Sequence, residues 1–262
     1  MSLLDFDKSR KRAPGRLLSP NFLMLTALFV VSGAGLFLGV GAGWPLVFLF
    51  VLSGWIVSLC LHEFGHAYVA YRGGDYTIPG KGYLELDPVR YVDPVTSLLM
   101  PVLFLLMGWL AFPGGSVYVD RSNLRGADWL STVSLAGPAA NLFFAIALLV
   151  PFWFGLPGQI GAKLFWGGVA FLIFLQIAAI FFNLIPLPGL DGYGIIEPYL
   201  PWQTQQKLEP LRRTGPLVLM LLFLFFPPFS AAFFKMVFAL MTSLHVDMAY
   251  FRVGARAFQF WK

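Results

Sequence analysis

Residues 46–72 read LVFLFVLSGWIVSLCLHEFGHAYVAYR, and no ionisable side chain other than the thiol of Cys60 interrupts them before His62. A helix needs roughly 20 predominantly apolar residues to cross a hydrocarbon core, and this stretch supplies them. It lacks the alternation of apolar and polar residues that a barrel strand requires. A helix is then the form that pairs every backbone N–H and C=O without water. Towards its end the stretch takes in His62, Glu63 and His66, before Arg72, Gly73 and Gly74 stop it. Ionisable groups inside a membrane segment are costly, so these three demand a chemical reason.

Outward from this stretch the pattern repeats. Further apolar runs lie at about 21–41, 95–112, 127–153, 163–185 and 216–244, the last broken by Pro227-Pro228. Hydrophobic residues make up 58% of the 262 and charged residues 12%, half of the about 25% usual in soluble domains. These features predict an all-α polytopic membrane protein: one domain over 1–262, with about five to six transmembrane helices. Short non-helical elements are expected beside them. Tyr83-Leu84-Glu85-Leu86 alternates like a strand, and 116–120 follows Pro113-Gly114-Gly115 as extended chain, so a β-hairpin or a re-entrant segment is expected here. Gly33, Gly35 and Gly39 predict close packing of the first helix on a neighbour. A basic stretch before 22–31 resembles a signal peptide, but apolar residues run on to Val40, and an uncleaved first helix is expected.

The net charge of +5 matters through its placement. Lys8, Arg10, Lys11, Arg12 and Arg16 form a basic tail at 1–18, and most other cations fall in short loops between apolar runs. This is a topology signal, without the basic stripe of a nucleic-acid binder. It places the N-terminus and loops 72–94, 120–128 and 197–215 in the cytoplasm of a bacterial inner membrane, and the 41–45 turn and loop 153–163 outside. Arg252, Arg256 and Lys262 place the C-terminal tail inside as well, which requires 216–244 to fold as a helical hairpin. A single kinked span would put the tail outside. Cys60 is the only cysteine, so no internal disulfide can form, and it sits about 200° around the helix from His62.

His62 and His66, spaced i and i+4, lie about 40° apart on one helix face, so their imidazoles can converge on one metal ion. Glu63 lies beside that face, placed to take a proton from a water that the metal polarises. A catalytic zinc usually has a third protein ligand and one open position. Asp191, in Asn183-Leu-Ile-Pro-Leu-Pro-Gly-Leu-Asp191-Gly192, follows an irregular proline- and glycine-rich stretch and is the foremost candidate, although an aspartate there could equally cap a turn. His245 stands alone at a polar boundary and reads as interfacial. Asn141, polar in the middle of a span, should face the interior. Gln176 and Asn183, seven residues apart, share a helix face.

Taken in order, His62-Glu63-Phe64-Gly65-His66-Ala67, Ala136-Gly137-Pro138-Ala139-Ala140-Asn141, and Asn183-x-x-Pro186 followed by Asp191-Gly192 resemble the site-2 protease family, whose members cut transmembrane segments of other proteins inside the bilayer. The resemblance spans roughly 46–195, the family's three-helix catalytic core. It implies one zinc per chain held by His62, His66 and Asp191, with Glu63 as catalytic base. It also implies that Asn183 lies near the substrate, a transmembrane segment of another membrane protein; Asn141 is grouped with it as substrate-facing. Tyr193 stands where the family often has a second glycine, which puts the local turn geometry in question. No segment of the chain is long enough for an appended regulatory domain.

Two expectations follow from geometry. For both histidines and Asp191 to reach one ion, the helices at 46–72 and 163–185 must run parallel. The segment 95–112 then makes no net crossing, and 113–120 returns as extended chain, about 26 Å for eight residues. The second concerns the substrate, whose carbonyl must leave its helical hydrogen bond before hydrolysis. Residues 76–86 or 116–120 could offer it a strand edge. Three rival readings remain at this level. One is a membrane metalloprotease for soluble or lipidated peptides, with Glu197 or Glu209 as third ligand. Another is a non-catalytic scaffold that captures transmembrane partners, and the third is a metal transporter.

Overall fold

The computed structural model describes residues 17–40, 43–91, 117–212 and 214–261. Two long helices open the fold, α1 (Pro20–Leu38) and α2 (Gly43–Gly73). Ser19 caps α1 by accepting from the Phe22 N–H, with Pro20 at the first helical position, where no N–H partner is needed. The same serine anchors the helix start: its N–H donates to Glu85 O (3.2 Å) and its hydroxyl to Leu86 O (3.2 Å). Along α1, Gly33 lets the Phe50 ring approach to where a Cβ would sit at 2.9 Å, and Phe29 stacks on Phe50 at 4.8 Å. Gly33 thus serves packing within the chain, as expected.

After α2 the chain turns through Asp75, makes a 3-10 turn at Pro79–Lys81, and forms the short helix α3 (Pro88–Tyr91). Tyr83–Leu86 is not a strand. Leu84 and Leu86 are buried as the alternation required, but a turn achieves it: Glu85 N–H bonds to Gly82 O, Gly82 and Leu86 have positive φ, and the carbonyls of Glu85 and Leu86 are taken by Ser19. Among the described residues there is no strand. Residues 117–120 have no regular structure, and a 3-10 turn at Arg121–Asn123 leads into α4 (Ala127–Trp153).

Contacts along the helices give their directions. Gly73 packs on Trp129 and Gly65 on Ala136, so α4 runs antiparallel to α2. The short helix α5 (Leu156–Ile160) leads to α6 (Lys163–Asn183), where Gly168 meets Phe50 and Gln176 Nε2 donates to Ser58 Oγ (2.9 Å). Hence α6 runs parallel to α2, as the shared ion demanded. Arg125 N–H bonds to Gly73 O (3.0 Å), so the chain returns to the end it left. The turn-back expected of 95–112 falls on residues outside those described. Helix α6 is the centre of the molecule, buried at nearly every position from Trp166 to Ala178.

Beyond α6 come α7 (Asp191–Ile196), a 3-10 turn at Glu197–Tyr199, α8 (Trp202–Leu208), a 3-10 turn at Glu209–Arg212, α9 (Gly215–Phe225), α10 (Pro227–Ser243) and α11 (Met248–Phe258). Among the described residues four helices are long and apolar enough to cross a membrane, five if α9 and α10, bent by 95° at the break before Pro227, form one span. Gly215 lies against the Pro188 carbonyl, just past the end of α6, whereas Leu244 O accepts from Trp153 Nε1 (3.1 Å) at the far end of α4. The pair therefore runs from one end of the helix bundle to the other, the course of a kinked span and not of the expected hairpin. The tail follows: α11 lies by the start of α2, with Phe258 on Phe48 and Phe260 on Trp44, at the end opposite Ser19. The prolines bend the chain, but aromatic packing of Phe234 and Phe238 on Phe174 holds α10 along α6 instead of sending it back.

Candidate metal centre

His62 and His66 lie about three and two turns before the end of α2, both buried, with their Nε2 atoms 3.0 Å apart. Asp191 opens α7. Its Oδ2 lies 3.3 Å from His62 Nε2 and its Oδ1 3.4 Å from His66 Nε2. Donors about 2.0–2.1 Å from a tetrahedral ion stand roughly 3.3 Å from one another, so these three separations match a zinc site's edges. Two imidazoles and a carboxylate are also a donor set of catalytic zinc. These are the groups among the described residues able to hold a metal ion together.

The shell around them supports that fit. His66 Nδ1 lies 2.7 Å from Val133 O on α4; donating there fixes the tautomer and turns the Nε2 lone pair inward. Asp191 Oδ2 has no hydrogen-bond donor, and a Cβ on Gly137 would fall on His66 Nε2 and 2.6 Å from His62 Nε2. Gly137 is thus the floor of a cradle for the imidazoles, whereas in the sequence it stands only as one residue of the Ala136–Asn141 motif.

The loop that delivers Asp191 depends on glycines. Gly189 adopts φ 95° against the Arg212 carbonyl, and Gly192 sits on Leu184 O, where a side chain has no room. Tyr193 keeps the regular helical turn and is buried beneath the Arg212 guanidinium, 5.5 Å from its ring.

Glu63 is buried next to the histidines, and its Oε2 accepts from the Val117 N–H (3.1 Å). Residues 117–120 are fixed on the other side: Lys81 Nζ donates to Tyr118 O (2.9 Å) and Asp120 N–H to Asp75 Oδ2 (2.8 Å), with Asp75 wholly buried. Asn141 and Asn183 are buried, each with an unpartnered polar atom, and among the described residues neither bonds to the three donors. Cys60 packs with Phe22, Val57 and Tyr91, away from the site, and His245 is exposed at the end of α10.

The rival third ligand is occupied elsewhere. Glu197 is buried and accepts from Arg121 (2.8 Å) and from Arg212, while the exposed Glu209 pairs with Arg212. Neither glutamate joins the histidines. Sequence gave no sign of the Glu197 pairs, because Arg121 lies 76 positions away.

Comparison with known proteins gives concordant results. The chain is 41% identical over 250 residues to the "Putative zinc metalloprotease Rip2" of Mycolicibacterium smegmatis, covering 93% of this chain and 94% of that protein. It is 43% identical over 247 residues to the protein of the same name from Mycobacterium tuberculosis H37Rv, with the same coverage. It is 34% identical over 177 residues to the "Putative zinc metalloprotease YwhC" of Bacillus subtilis, covering 64% of this chain and 77% of that one. No family model and no solved structure matches.

Proposed function

The chain belongs to the site-2 protease family of zinc metalloproteases, and from that premise we propose that it is an endopeptidase cutting peptide bonds within transmembrane segments of other membrane proteins. The observation that carries this reading is the convergence of His62 and His66, on a helix apolar enough to span a membrane, with Asp191, and with Glu63 beside them. Zinc held there would supply Lewis-acid polarisation of a water and of the scissile carbonyl.

The chain's own residues do the rest. Glu63 takes the proton of the attacking water and delivers it to the leaving amine. Burial strengthens each electrostatic contact it makes, and the Val117 N–H holds one of its oxygens in place. Val133 O keeps His66 in the tautomer that presents Nε2 to the ion. The substrate helix must unwind at the cut, and unpaired backbone in lipid is costly. Of the two strand partners expected from sequence, 76–86 is folded into turns, which leaves 117–119. The edge bearing Tyr118 O and Asp120 N–H is tied to Lys81 and Asp75, and the Val117 N–H is held by Glu63, so the Val117 carbonyl and the backbone of Val119 are the groups left to pair with an extended substrate. Asn141 and Asn183 contribute their spare polar atoms to the unwound backbone.

Sidedness follows the positive-inside rule. Arg72, Lys81, Arg90, Arg121, Arg125, Lys207 and Arg212 gather at the metal-site end, which we place toward the cytoplasm of a bacterial inner membrane.

The test is Glu63→Gln in purified protein. Zinc should stay at one per chain, while cleavage of a model transmembrane peptide falls by at least about a hundredfold, the usual contribution of a general base. Wild-type cleavage rates in that variant would refute the assignment.

A further inference from the structure

Glu197 is a carboxylate with 3% exposure, six residues after Asp191 on the same short helical element. A group so buried and charged is retained at a cost unless its partners are in place. Its two partners come from different segments around the site. Arg121 follows directly on Val117–Asp120, the segment whose first N–H bonds to Glu63. Arg212 precedes α9, whose Gly215 rests on Pro188 in the loop that delivers Asp191. Further bonds tie the element to α4: Ser131 Oγ donates to Ile195 O (2.6 Å), and Tyr199 OH to Asp128 Oδ1 (2.9 Å). Tyr193 lies beneath the Arg212 guanidinium, 5.5 Å from it, so the cation that pairs with Glu197 also covers this buried ring.

We infer that Glu197 is a positioning residue whose bonds to Arg121 and Arg212 hold Asp191 in reach of the two histidines and fix the Val117–Val119 edge at the same distance from the site. One carboxylate thereby joins the third ligand to the segment that receives substrate. The two arginines divide the work. Arg212 braces the Asp191 loop from the α9 side, and Arg121 braces the substrate edge. This rests on the metalloprotease reading above, and the wild-type protein tests that reading separately.

The experiment uses full-length protein in detergent, with zinc loss to excess EDTA and cleavage of a transmembrane peptide as readouts. Thermal unfolding confirms that each variant is folded. If the wild type holds no zinc or cleaves nothing, the metalloprotease reading itself falls. With that established, Glu197→Gln, nearly isosteric, should lose zinc roughly tenfold faster or more, the scale of lost supporting bonds around metal ligands, and lose kcat with it. Arg121→Gln keeps the Arg212 pair. It should retain zinc at the wild-type rate and raise KM several-fold with little change in kcat. Glu209→Gln, at the exposed carboxylate, should match wild type in both. A folded Glu197→Gln with wild-type zinc loss overturns the inference. So does an Arg121→Gln that sheds zinc as fast as Glu197→Gln, since the clamp would then be general scaffolding.

Discussion

At the scale of single residues, Gly137 is the sharpest point of contact between packing and chemistry. Its missing side chain leaves the volume that the His62 and His66 rings occupy. Gly137→Ala should therefore cut zinc content well below one per chain while the protein stays folded. Alanine is favoured over glycine in a helix by about 1 kcal/mol, and the clash falls on side-chain rings that can turn aside, so the metal should be lost before the fold. Zinc analysis beside thermal unfolding separates the two, and full zinc occupancy in the alanine variant would show that the rings do not sit where the cradle places them. The residues that sequence could find were those whose geometry is fixed locally. Two histidines and a glutamate on one helix keep their spacing whatever surrounds them, so His62, Glu63 and His66 were legible at once. Asp191 was legible only as one of two readings until its family motif was considered, because an aspartate after proline and glycine serves a turn equally well. The parts that Gly137 and Glu197 play were not legible, although the first stood in a motif and the second was a rival ligand. A small residue in a helix encodes close approach without saying to what, and the partners of Glu197 are distant in the chain.

At the scale of elements, the long apolar helices were readable to within a few residues, since length and apolarity alone decide them in lipid. The failures came where tertiary contacts override a local pattern. Tyr83–Leu86 alternates, yet the start of α1 claims its carbonyls and turns it. The amphipathic α11 lies in what sequence read only as a basic tail. It buries Gly254 against the Gly167 carbonyl, with Phe251 and Phe258 on Phe171, and leaves Arg252 and Arg256 exposed. That glycine contact yields a prediction whose sign is decided by magnitude. Gly254→Ala gains about 1 kcal/mol of helix propensity but forces a methyl onto backbone that cannot yield, and overpacking of this kind costs roughly 1–3 kcal/mol or more. The variant should unfold at a lower temperature than wild type. Gly158→Ala in α5, with open space around it, should not, and serves as the reference for propensity alone. An equal or higher unfolding temperature for Gly254→Ala would mean that α11 does not dock on α6 so closely.

At the scale of the whole molecule, the direction of each helix fixes which ends of the chain share a side. Helices α1, α2, α4 and α6 alternate, and the bent pair α9–α10 adds one further traverse from the Pro188 end to the Trp153 end. Counted as one span, the bent pair brings the total to five, and Ser19 and α11 then lie on opposite faces, although the basic residues of the tail argued for one face. Charge counts lose authority here because Arg252 and Arg256 ride on a helix held by aromatic packing against α6, which outweighs a preference of a few charges. The chain offers a clean way to check this, because Cys60 is its only cysteine and is buried. A single cysteine at Gln203 on α8, or at Arg252 on α11, both exposed, would be tested with a membrane-impermeant maleimide in intact and permeabilised cells. Gln203→Cys should react only after permeabilisation and Arg252→Cys in intact cells, with the parent chain unreactive in both. Labelling of both positions from one face would restore the hairpin at Pro227 and remove the single traverse. Labelling in the reverse sense would keep the traverse and invert the protein in its membrane, moving the metal site to the outer face.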